Sequence, residues 1–130
     1  NPGYLDAVNV FYAKHLCNMN PWPESLMRTM SKMGAAVYQY MIGPSEFTLT
    51  GTLKDYDLTV SLNKLTMPVL LTCGEFDEAR PESVEYFQKK IPGSQIKIFK
   101  GATHSHHLEK SDEYIKLLRN FILKAENPLR

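Results

Sequence analysis

The chain has 130 residues, 43% of them apolar and 22% charged, which suits one packed core and excludes a disordered segment. Fifteen basic against fourteen acidic residues leave a formal charge of +1 and no basic stripe to neutralise phosphates, so nucleic acid is not an expected partner. No run approaches about 18 uninterrupted apolar residues and Asn1-Pro2-Gly3 does not open a signal peptide, so no membrane partner is expected and the location is expected to be cytoplasmic.

Residues 5–42 are rich in Met, Ala, Tyr and Leu, with Leu26, Met30, Met33, Val37, Tyr40 and Met41 recurring at helical spacing and Pro21 and Pro23 marking the entry. This half is expected to be helical, serving either as a lid over a site or as a hairpin covering a sheet face. Residues 43–66 carry turn formers and no sustained period, and predict a connector with one short extended piece, Phe47 to Thr50.

Met67-Pro68 then opens a predicted buried strand, Val69 to Cys73, and Pro81 starts a helix whose Val84, Phe87 and Ile91 face inward before Pro92-Gly93 ends it. Gln95 to Phe99 alternates as a second strand, and the last helix is expected to bury Tyr114, Leu117, Leu118, Phe121 and Ile122. The expected division is thus 1–66, helical portion and connector, and 67–130, a βαβα unit. Two parallel strands alone leave unpaired edges, so additional strands are expected. Cys17 and Cys73 read as small core hydrophobes in a reducing compartment, because no second pair supports zinc or a disulfide framework.

Three groups of residues carry chemistry. Leu70-Leu71-Thr72-Cys73-Gly74-Glu75-Phe76-Asp77 is an apolar run stopping at Gly and then Asp, which sets a carboxylate at a strand end where open sheets put their chemistry. His104 follows the next strand 27 residues on, the length of a strand-helix-strand excursion. Such a carboxylate can fix the imidazole tautomer and stabilise the imidazolium that forms when it accepts a serine proton. The bland alternative is a helix-capping Asp and a surface histidine. His104, His106, His107 and Glu109 form a second cluster, but the spacing suits no preformed site and no metal is expected. Glu46 and Glu78 form a third, able to hold a substrate ammonium or simply to be solvated surface.

Chain order nucleophile, acid, histidine with a Gly-x-Ser-x-Gly elbow is the α/β-hydrolase pattern. Gly43-Pro44-Ser45-Glu46-Phe47 is the nearest approach to that elbow and is not one. The expectation is therefore acid and base without a nucleophile.

Val37-Tyr38-Gln39-Tyr40-Met41-Ile42-Gly43-Pro44-Ser45-Glu46-Phe47, Gly51-Thr52-Leu53-Lys54-Asp55-Tyr56-Asp57, Met67-Pro68-Val69-Leu70-Leu71-Thr72-Cys73-Gly74-Glu75-Phe76-Asp77-Glu78 and Ala102-Thr103-His104 together resemble the proline iminopeptidases (prolyl aminopeptidases). The resemblance implies an α/β fold: the C-terminal portion of an α/β-hydrolase, parallel strands with flanking helices, preceded by part of a helical cap. It implies a serine aminopeptidase without cofactor or metal, releasing N-terminal residues, often proline, from short peptides. It matches Asp77 and His104 to the catalytic acid and base, and Glu46 and Glu78 to the binders of the substrate's amino terminus. The expected partners are a peptide with a free N-terminus and the N-terminal half of the same enzyme, which would supply serine and oxyanion hole. Ile42 departs from the Asn usual before Gly-Pro. Another α/β-hydrolase, such as an esterase or epoxide hydrolase, and a non-catalytic binding module exposing its sheet edge are the alternatives.

Overall fold

The computed structural model describes residues 2–127. Expectations touching residue 1 and residues 128–130, at the two ends of the expected division, lie outside the described residues. The chain forms two compact units, one made of residues up to Asn20 with those from Ser61 onward, the other Pro21–Val60. The expected boundary at 66/67 placed the first helix with the cap portion, whereas its contacts group it with the strands.

In the first unit, β1 (Leu70–Gly74) pairs in parallel with β2 (Gln95–Phe99), Leu70 opposite Gln95 and Gly74 opposite Phe99. The crossover contains α4 (Pro81–Gln88), where proline at the first turn suits a position whose N–H has no intrahelical acceptor. Val84 is buried under α4 and Ile91 in the turn after it, but Phe87 is exposed. The unit also holds α1 (Pro2–His15), α5 (His106–Glu109) and α6 (Ser111–Glu126). Phe99, Cys73, Ala102, Leu16 and Cys17 make its buried centre.

No residue of α6 is fully buried: Tyr114, Leu117 and Phe121 are half-buried, while Leu118 and Ile122 are exposed. The expected buried face fails for a dimensional reason. Two strands about 4.8 Å apart are narrower than a helix about 10 Å across, so they cannot cover it. Among the described residues the sheet has two strands, and the further strands expected from the sequence are not found there.

The Pro21–Val60 unit contains α2 (Glu24–Ser31) and α3 (Ala35–Met41), with Pro23 at the entry of α2 and a break at Lys32-Met33-Gly34 interrupting what the spacing reads as one run. Neither helix has a buried residue, and Met27, Met30, Met33, Val37, Tyr40 and Met41 are exposed. Phe47 to Thr50 is not a strand. The chain turns there through a single antiparallel bridge, Ser45 to Thr48. A 3-10 helix at Thr59–Lys64, absent from the sequence reading, carries the chain onward.

Both cysteines are buried and free. Burial, reinforced by the negative charges of Asp77, Glu85 and Glu82, pushes the Cys73 thiol up to about 11. At pH 8 about one thiol in a thousand is then thiolate, so iodoacetamide is expected to leave Cys73 unmodified in the folded chain and to alkylate it in urea, read by mass spectrometry. Fast native alkylation of Cys73 would contradict the burial. No described helix is long and apolar enough to cross a membrane.

Candidate functional site

β1 and β2 run parallel and in register, so the loops leaving their C-terminal ends emerge side by side. The pairing continues past the strands: Glu75 N–H donates to the Phe99 carbonyl at 3.0 Å and Phe76 N–H to that of Ala102 at 2.9 Å. Gly74 makes this approach possible, because a Cβ there would lie 2.3 Å from the Thr103 carbonyl and 2.4 Å from that of Ala102. Gly74→Ala is expected to cost about 3 kcal/mol, since backbone must move to admit the methyl. A urea midpoint equal to the parent's would contradict that crowding.

The loop after β1 delivers Asp77, whose side chain is only 2% exposed. Its Oδ2 accepts the Gly74 N–H at 3.1 Å, its Oδ1 accepts the Ala79 N–H at 2.8 Å, and Oδ1 lies 2.9 Å from His104 Nδ1. A buried carboxylate fixes Nδ1 of His104 as the donor, which leaves the Nε2 lone pair to take up a proton. The His104 ring is half exposed, and Glu78 Oε1 stands 4.0 Å from its Nε2. The structure thus brings Asp77, Glu78 and His104 together.

The end of α1 holds both loops. Its carbonyls at His15 and Leu16 accept the His104 and Ser105 N–H groups at 2.9 and 2.8 Å, and the His15 ring donates from Nδ1 to the Phe76 carbonyl at 2.8 Å. Glu109 accepts the Asn18 N–H at 2.9 Å, the Thr103 N–H at 2.7 Å and the Thr103 hydroxyl. Asn18 in turn donates through Nδ2 to the Gly101 carbonyl at 3.0 Å. These anchors escape sequence reasoning, since no local pattern ties residues 15–18 to residues 101–109.

Glu109 therefore braces the loop, and His106 is buried, its protonation held below the usual histidine range chiefly by burial, with the Asp77 charge opposing that shift. Among the described residues no group of three or more His, Cys, Asp or Glu is placed to hold a metal ion.

Glu46 lies in the Pro21–Val60 unit, where its Oε2 accepts the Tyr38 hydroxyl at 2.9 Å. Its loop folds back on the end of α3, with Thr50 and Gly51 N–H groups donating to the Ile42 carbonyl at 3.0 and 2.8 Å. Gly43 sits at φ 128°, open to glycine and strained for other residues. Met33, Val37, Tyr38, Met41, Ile42 and Leu53 line an apolar hollow of about 450 Å³ in the same unit.

Parallel strands with flanking helices, and a strand-end carboxylate bonded to the imidazole of the next strand's loop, belong to an α/β-hydrolase. The comparisons agree. The crystal structure of proline iminopeptidase from Mycobacterium smegmatis superposes with a TM-score of 0.91 at 35% identity, covering 100% of this chain and 44% of that one. That of VinJ gives 0.87 at 28%, covering 94% and 42%. In sequence, the proline iminopeptidase of Saccharolobus solfataricus is 42% identical over 94% of this chain and 40% of its own length, and that of Thermoplasma volcanium 40% identical over 95% and 42%. No family model matches the chain. Over nearly its whole length the chain is similar to proline iminopeptidases, and it spans about two fifths of the length of the curated relatives it matches.

Proposed function

We propose that this chain is the acid-and-base portion of a cytoplasmic serine aminopeptidase that removes N-terminal residues, proline among them, from short peptides. The observation that carries the reading is the 2.9 Å contact between buried Asp77 and half-exposed His104. In the proposed reaction, His104 Nε2 takes the proton of a serine hydroxyl as the oxygen attacks the scissile carbonyl, then returns it to the leaving amine. Asp77 keeps the ring in the required tautomer and stabilises the imidazolium. Glu46 and Glu78 are each assigned to attract the substrate's amino-terminal charge. Serine and oxyanion donors are assigned to the N-terminal half of the enzyme, the proposed partner of this chain.

The test is a chimera in which this chain replaces the matching segment of the Saccharolobus solfataricus relative, assayed with a chromogenic prolyl amide. Turnover that disappears with His104→Ala is the expected result. Turnover indifferent to that substitution would overturn the assignment of the base.

A further inference from the structure

On the Oδ2 side of Asp77 stands a second imidazole that the proposed reaction leaves unused. His106 opens α5 and its side chain is 9% exposed. The ring stacks on Phe99 of β2, centroids 5.1 Å apart, and meets the Tyr114 ring of α6 edge-on at 5.8 Å. Its Nε2 lies 3.0 Å from Thr72 Oγ1 on β1. Its Nδ1 is buried with no hydrogen-bond partner, 4.0 Å from Asp77 Oδ2. Buried polar atoms nearly always find partners, so this orphan calls for a reason.

The two tautomers of the ring are not equivalent here. With the proton on Nε2, a lone pair at Nδ1 would face a carboxylate across a dry gap, which is repulsive. With the proton on Nδ1, the Thr72 hydroxyl donates to Nε2 and the Nδ1–H dipole points at the carboxylate, an attraction strengthened by the low local dielectric. The groups facing the ring are Asp77, the Thr103 backbone and the imidazoles of His104 and His107, while Thr72, Phe99 and Tyr114 come from the packed strands and helix.

We propose that His106 is a positioning residue for the catalytic acid: its Nδ1–H, 4.0 Å from Oδ2, adds an electrostatic hold to the Gly74 and Ala79 N–H groups and keeps the Asp77 carboxylate in the rotation that presents Oδ1 to His104. The inference rests on the acid-base reading of Asp77 and His104. Burial favours the neutral ring, so His106 acts as a fixed dipole and His104 remains the group that exchanges a proton.

Asparagine and glutamine separate the two ring nitrogens, because the Asn amide falls near the Nδ1 position and the Gln amide near Nε2. Long-range 1H–15N spectra of the labelled chain are expected to show His106 as the Nδ1–H tautomer; the Nε2–H tautomer would overturn the proposal. Solvent exchange of the His104 Nδ1 proton is expected to match the parent in His106→Asn and to run about tenfold faster in His106→Gln. Equal behaviour of the two variants also overturns it, and if either fails to fold the tautomer of the parent decides alone. None of these readouts depends on hydrolysis, so an inactive chimera would sink the peptidase reading and leave the His106 result standing.

Discussion

Asp77→Asn in the chimera is expected to lower kcat for a prolyl amide by about 10⁴-fold while KM changes little. The Asp77 side chain is buried and accepts two backbone N–H groups as well as facing His104 Nδ1. The single amide oxygen of an asparagine cannot accept both N–H groups, because they bind different carboxylate oxygens; in the orientation that keeps its oxygen on the Gly74 N–H, the NH₂ takes the Oδ1 place and meets His104. The imidazole then carries its proton on Nε2 and can no longer accept one from serine. Because the carboxylate does not touch substrate, the loss falls on the chemical step. A loss of less than about tenfold, with the fold intact by circular dichroism, would remove Asp77 from the mechanism.

The βαβα order was legible because its signals are local. An apolar run ended by Gly74 and Asp77, a proline at the first turn of α4 and the alternation of Gln95 to Phe99 each report what the backbone does within a few residues. The Asp77–His104 juxtaposition was legible for the same reason, since parallel strands in register bring their following loops together. What failed depended on partners remote in sequence or on the extent of the sheet. The stripe on α6 has the period of a buried face, yet whether a face is buried depends on what covers it, and two strands do not. Phe47 to Thr50 has the residues of a strand, but with Gly43 at positive φ and the Ile42 carbonyl capturing Thr50 and Gly51, the segment closes into a turn. The roles of His15, Asn18 and Glu109 as anchors of the two loops were hidden because each acts on a residue more than 60 positions away or through backbone groups that carry no side-chain signature. His106 was visible only as one of three clustered histidines, a pattern that suggests a metal, whereas burial against Phe99 and Thr72 separates it from the exposed His107.

Glu78→Gln in the same chimera is expected to raise KM for substrates with a free amino terminus by about 10- to 100-fold, the loss of one charge-assisted hydrogen bond to an ammonium. Glu78 also stands 4.0 Å from His104 Nε2, so its charge favours the imidazolium formed during the reaction. A smaller fall in kcat should therefore accompany the rise in KM. Glu46→Gln provides the contrast, because Glu46 is bonded to Tyr38 and is assigned only the substrate's charge; its effect should lie in KM with kcat preserved. An uncharged ester substrate of similar size distinguishes the aminopeptidase from an esterase sharing the same acid and base. For an aminopeptidase the substitutions hurt the amine substrate and spare the ester, so the ratio of their kcat/KM values collapses. For an esterase the ratio stays where it was, and unchanged KM for the free amine in both variants would withdraw Glu46 and Glu78 from substrate recognition.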